Sequence, residues 1–192
     1  MAATKPGQRK LQILQALAAM LETPKGEKIT TAALAKRLEV SEAALYRHFA
    51  STAQMFEGLI EFIEASVFGL INQIAEREED GVDQARAIML MLLSFAVNNP
   101  GMTRVLTGDA LVGEDERLQL RMNQFYDKVE LACKQSLRVA VTQGHGVEAE
   151  VAARASLLVS YVAGRWHRYA KSGFRQNPTD DTTLQLALML AV

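Results

Sequence analysis

One cysteine, Cys133, stands in a chain of 192 residues, so no internal disulfide can staple the fold and stability has to come from a buried core. "ELACKQSL" sets that cysteine inside a helical pattern, where it reads as a small buried hydrophobe. There are only four prolines, glycine is spread thinly, and alternating Val/Ile/Thr runs are missing. That removes the β-sheet signal. Long apolar runs are missing too. The longest nearly unbroken one, "AIMLMLLSFAV" at 87–97, falls well short of the roughly 20 residues that span a bilayer and reads as a buried helix. The basic, then amphipathic N-terminus is interrupted by Gln and has no small-residue cleavage site after it, so a cytoplasmic protein with no membrane partner is expected.

Metal and catalytic chemistry are equally thin. His145 lies in the Gly-flanked "QGHG", and His167 has Ala163 and Lys171 at the i±4 positions where a second ligand would stand. Ser160 and His167 make no recognisable nucleophile and base. The expectation is no metal, no cofactor and no enzyme.

What the chain does have is helix formers: Ala, Leu, Glu, Gln and Arg dominate, with 49% hydrophobic and 22% charged residues. This is ordinary globular composition, and the fold class it predicts is all-α. A first helix spans about 8–22, with Leu11, Leu14, Leu17, Ala18 and Leu21 as its apolar stripe. "TPKGEK" breaks it. Thr30 or Thr31 caps a short second helix through Leu38, "EVS" turns the chain, and Ser41 caps a third from Glu42 to about Phe49. Two short helices around a tight turn, with Ala35 small and Val40 apolar, form a helix-turn-helix pattern. Glu39 stands where that turn often has Gly.

A long helix follows from Ser51 or Thr52, with an apolar face of Met55, Phe56, Leu59, Phe62, Ile63, Val67, Leu70, Ile71 and Ile74. That face is wide enough to join two modules. On its other side Glu57, Glu61 and Glu64 form a stripe that is solvated by default and a protein-partner surface in the sharper reading. Further helices are expected at about 83–98, 101–107, 114–142, 147–171 and 179–191. The last two are apolar on so many sides that a second copy must cover them, which predicts a homodimer through a four-helix contact. The division expected is a three-helix helix-turn-helix domain, 1–52, and a C-terminal helical bundle that dimerises, 53–192.

Charge follows the same division. Residues 1–52 carry eight Lys/Arg against four Glu, a net +4, while the remainder is −5. A basic module on an acidic body suggests double-stranded DNA at one end. Ser41, Glu42, Ala43 and Ala44 begin the third helix, and Tyr46, Arg47 and His48 follow one turn later. Tyr, Arg and His can all donate to phosphate oxygens, and Thr30 and Thr31 bring backbone amides alongside. Ala43 and Ala44 offer only apolar contact, which suits thymine methyls and shape readout.

"ITTAALAKRLEVSEAALYRHF" resembles the DNA-binding module of TetR-type regulators, in which a Tyr-Arg-His-Phe-like run closes the recognition helix. "LIEFIEASVFGLINQI", "NPGMTRVLTGDALVGEDERLQLRMNQFYDKVE" and "NPTDD" are similar to the nucleoid occlusion factors within that family. The resemblance implies a nucleoid-associated dimer that binds chromosomal sites and antagonises polymers of the division protein FtsZ. It carries over Phe62, Met91, Asn98 and Asn99 as a partner surface, although Phe62 also suits the core. The wider family implies an alternative, a repressor switched by a small molecule in the body. Two departures stand out. "FASTAQMF" replaces "FPSKTRMF" and loses a Lys and an Arg, which predicts a shallower salt dependence, and Leu70 replaces a basic residue usual on the outer face of the long helix.

Overall fold

The computed structural model describes residues 7–23 and 29–191. Among these residues nine α-helices and no strand occur, in keeping with the all-α expectation. They are α1 (Gln8–Leu21), α2 (Thr31–Arg37), α3 (Glu42–Tyr46), α4 (Thr52–Arg77), α5 (Gly81–Asn98), α6 (Pro100–Leu106), α7 (Glu116–Thr142), α8 (Glu148–Lys171) and α9 (Thr182–Met189). A 3-10 turn, Asp109–Leu111, joins α6 to α7.

The helices start where short polar side chains can satisfy unpaired backbone N–H groups. Thr30 accepts from the Ala33 N–H, Ser41 from Ala44 and Ser51 from Gln54. Asp80 accepts from both Val82 and Asp83, and Asp115 from Arg117. At Ser51 the cap is reinforced, because Gln54 Oε1 accepts from the Ala50 N–H at 2.8 Å. "STAQ" is therefore a capping box shifted by one residue.

The turn between α2 and α3 explains the missing glycine. Glu39 takes the left-handed conformation, φ 53°, while the Glu39 N–H bonds Lys36 O and the Val40 N–H bonds Ala35 O. This is the Schellman ending, for which Gly is the usual residue. α3 closes earlier than expected. Its last helical residue is Tyr46, and Arg47 and His48 form the turn that delivers Phe49 to the core.

α4 is long and apolar enough by composition to cross a membrane, which the 87–97 run alone did not reveal. In the fold its Met55, Phe56, Leu59, Ile60, Ile63, Val67 and Ile71 are buried, and near its midpoint Glu64 is paired with Arg121 of α7 at 2.8 Å. It is the connecting helix. Leu70, expected on its apolar face, is 38% exposed and belongs to the outer face; Ile60 takes the inward place. The acidic stripe is partly spent as well, since Glu64 also lies 3.8 Å from Lys128 and its side chain is 15% exposed. Arg121 is pushed above its usual pKa, first by the Glu64 hydrogen bond and further by Glu61 and Glu57 nearby.

The body packs α5 among α4, α7 and α8. Ile88, Met89, Leu92, Leu93 and Ala96 are fully buried, as the run at 87–97 predicts. Trp166 of α8 is buried beside them, with its indole N–H donating to Leu92 O at 3.1 Å. Burying each of these Ile, Leu and Met side chains contributes about 1.5–3 kcal/mol. Cys133 is buried, and desolvation, helped by the nearby Glu130 charge, pushes its thiol up to about 12. It is packing rather than chemistry, as its sequence setting implies.

The helix-turn-helix unit docks on the body through α1 and α6. Gly101 meets α1 so closely that a β-carbon would run into the Ala18 carbonyl. Arg104 donates to the carbonyls of Leu21 and Thr23, each at 3.3 Å, and so caps the C-terminal end of α1. Asp109 accepts from Arg104 at 2.8 Å and from Lys171 at 3.1 Å, which ties α1 through α6 to the end of α8.

Candidate nucleic-acid interface

α3 is held by Leu45 and Phe49, both buried, and by α2 through Leu34 and Ala35. With those side chains inward, Ser41, Glu42, Ala43, Tyr46 and Arg47 are exposed, and Ala44 and His48 are half-buried. Tyr46 keeps 46% of its surface in solvent. Arg47 and His48 leave from the turn after α3 rather than from the helix, and the His48 N–H donates to Leu45 O at 2.8 Å.

Three of the expected residues are brought together. The Tyr46 hydroxyl donates to Thr31 Oγ1 at 3.3 Å, and the Thr31 hydroxyl donates to Glu42 Oε2 at 2.7 Å. Thr31 lies in the first turn of α2 and Glu42 in the first turn of α3, so this chain fixes the two helix starts against each other. Thr30 and Ser41 cap these helices with their oxygens and keep a hydroxyl proton to offer.

Positive charge surrounds this patch. Lys36 and Arg37 are exposed on the last turn of α2, and exposed Lys10 of α1 lies over the Phe49 ring, 5.7 Å from its centroid. Sequence reading did not single out Lys10, because only the folded packing of α1 against Phe49 places it there. Nor did it single out Gln54, whose signal, the S-x-x-Q spacing, was present. Hydroxyls at two adjoining helix starts, with exposed cations on α1, on the last turn of α2 and after α3, are side chains of the kind that suits phosphate contact.

The four carried-over partner residues are less convergent. Phe62 of α4 and Met91 of α5 are half-buried against the core. Asn98 is exposed, and Asn99 joins α5 to α6 with its amide donating to Phe95 O at 2.8 Å. No hydrogen bond among the described residues links one of the four to another. The described residues contain no cluster of three or more His, Cys, Asp or Glu suited to a metal. His145 sits 3.9 Å from Asp80, and His167 is exposed on α8. A groove of about 920 Å³ runs along the outer face of α8, lined in part by Tyr126, Val159, Tyr161, Gly164 and His167.

Known proteins match both parts of the chain. Residues 79–191 match the SlmA-like profile described as tetracyclin repressor-like, C-terminal domain, and residues 13–59 match that of bacterial regulatory proteins, tetR family. The nucleoid occlusion factor SlmA of Alteromonas mediterranea is 47% identical over 188 residues, covering 97% of this chain and 96% of the relative. That of Idiomarina loihiensis is 48% identical over 182 residues, covering 94% and 93%. Among solved structures, a TetR transcription regulator from Haloarcula marismortui aligns with a TM-score of 0.81 at 14% identity, covering 95% of this chain and 96% of the other. The regulator FadR from Bacillus subtilis, solved with stearoyl-CoA, aligns with a TM-score of 0.77 at 12% identity, covering 94% and 97%. At such identities these structures speak for the fold alone.

Proposed function

The chain belongs to the nucleoid occlusion factor SlmA family of TetR-type proteins, and from that premise we propose that it is a sequence-specific DNA-binding inhibitor of cell division. Residues 1–52 form the DNA-binding domain and 53–192 the regulatory and dimerising body. Homodimers bind double-stranded chromosomal sites, and their bodies antagonise FtsZ polymer assembly over the nucleoid in the cytoplasm.

The observation that carries this reading is the helix-turn-helix face of exposed Thr30, Ser41, Glu42, Tyr46 and Arg47 around half-buried Thr31, on a chain similar to SlmA proteins over nearly its whole length. Dimerisation is supported by Leu157, Leu184 and Leu188, which are 52%, 66% and 73% exposed on α8 and α9 and call for a covering surface. A two-fold dimer would place its recognition helices in successive major grooves, reading half-sites about 34 Å apart or a multiple of that. Phosphate contacts from Tyr46, Arg47 and His48 set register, while Ala43 and Ala44 meet base edges. No covalent chemistry is needed: DNA concentrates and orients the bodies, and Phe62, Met91, Asn98 and Asn99 contribute to the surface offered to FtsZ.

Sedimentation of FtsZ polymers with this protein, with and without its DNA site, tests the reading. Pelleted polymer should fall in the presence of protein and fall further with DNA. If DNA has no effect on polymer, the ligand-responsive repressor is favoured instead. The groove along α8 gives that second reading its foothold, and release of DNA by an added metabolite would establish it.

A further inference from the structure

Among the residues given to DNA contact, Glu42 has the wrong charge. It also terminates a directed chain of hydrogen bonds, from the Tyr46 hydroxyl to Thr31 Oγ1 and from the Thr31 hydroxyl to Glu42 Oε2. Each hydroxyl has a single proton to donate. While this chain is closed, neither proton is available to a phosphate oxygen. Thr30 and Ser41 differ, because they use only their oxygens, accepting from the Ala33 and Ala44 N–H groups.

We propose that Glu42 is a specificity-determining residue that holds the Thr31 and Tyr46 protons in reserve and penalises DNA of the wrong sequence. The inference rests on the DNA-binding reading and adds a mechanism of selection to it. A carboxylate brought to a random duplex meets like charge from the phosphates and loses water without finding a donor. A duplex that offers an exocyclic amine in the major groove, above all N4 of cytosine, supplies that donor. Glu42 then accepts from the base, and the Thr31 and Tyr46 hydroxyls rotate outward to phosphate. Part of the phosphate contact thus forms only after a correct base is met, which widens the gap between specific and non-specific binding.

The experiment uses the full chain and fluorescence anisotropy with two labelled duplexes: one enriched by the wild-type protein from a randomised pool, the other a scramble of it. Glu42→Gln keeps the size of the side chain and removes its charge. It should bind the scramble about tenfold more tightly and reduce the ratio between the duplexes by on the order of tenfold or more. Glu42→Asp, which keeps the charge, should retain weak binding to the scramble. Glu42→Ala removes the acceptor as well as the charge and so frees both protons; its effect on the scramble should shrink in a Thr31→Val/Tyr46→Phe background, where there are no such protons to free. Glu42 is exposed, so its variants leave the core intact, and thermal unfolding checks that these and the Thr31→Val/Tyr46→Phe background stay folded.

An unchanged ratio in Glu42→Gln, an aspartate that behaves like glutamine, or an equal effect of Glu42→Ala in both backgrounds would overturn the role given to Glu42. A wild-type protein that prefers no duplex would overturn the DNA-binding reading itself. The two failures are therefore distinguishable.

Discussion

Gly101 of α6 presses on the Ala18 carbonyl of α1 with no room for a β-carbon between them. The obstacle is backbone, so no side-chain rotation relieves it, and α1 and α6 would have to part. Gly101→Ala should therefore destabilise by about 3 kcal/mol, the upper end for overpacking. The expected reading is a lower urea midpoint at unchanged slope. Because α1 belongs to the helix-turn-helix unit and α6 to the body, the same variant should bind DNA more weakly.

Arg104 reaches across the same contact to the Leu21 and Thr23 carbonyls, and the ion pair that holds it within the body titrates. Burial alone would raise the Asp109 carboxyl, but hydrogen bonds from Arg104 and Lys171 outweigh it and hold the group below its ordinary value of 3.8. With the folded pKa depressed, its stabilising contribution is complete above the ordinary carboxylate value and is lost as pH falls through the lower, folded one. Asp109→Asn should cost about 1 kcal/mol at neutral pH. The gap between wild type and variant should close only below about pH 4, as followed by urea unfolding across pH. A gap that closes between pH 6 and 5 would refute the assignment.

Much of the fold was legible because caps and apolar periodicity agreed. Thr30, Ser41 and Ser51 each precede a helix whose inward residues recur at three and four; Ser41 caps as expected, and of the alternatives Thr30 or Thr31 and Ser51 or Thr52 the first of each pair is the cap. What escaped was long-range. The partner of Glu64 is 57 positions away at Arg121, so the acidic stripe on α4 reads as solvated until α7 is in place. Leu70 fits the apolar count of α4 yet faces out, because seven other residues already fill the buried stripe. At the candidate interface the residue types were legible, but the direction of the Tyr46–Thr31–Glu42 hydrogen bonds was not. That direction depends on how two helix starts meet across a turn held by left-handed Glu39.

The dimer proposal can be tested on α9. Leu184 and Leu188, one turn apart and both largely exposed, would each lose apolar burial and desolvate a charge if replaced by Glu in an interface. Leu184→Glu/Leu188→Glu should shift sedimentation velocity from dimer to monomer at micromolar concentration. Its DNA affinity should drop with it, since a monomer reaches only one half-site. A variant that stays dimeric would move the interface elsewhere.

Restoring the family's lost cations sets two effects against each other at the start of α4. Thr52→Lys/Gln54→Arg adds two cations per subunit that could neutralise phosphates, but it removes the Gln54 acceptor that holds the Ala50 N–H at 2.8 Å. Loss of that part of the capping box should cost about 0.5–1 kcal/mol of stability. Against that, the log–log dependence of DNA affinity on salt should steepen by up to about 3.6 for a dimer, at about 0.9 for each further phosphate neutralised. Low salt would then favour the variant and high salt would erase its advantage, which anisotropy at several salt concentrations would show as crossing lines. An unchanged slope would mean that the start of α4 does not reach the phosphate backbone, and that Gln54 is there for the helix alone.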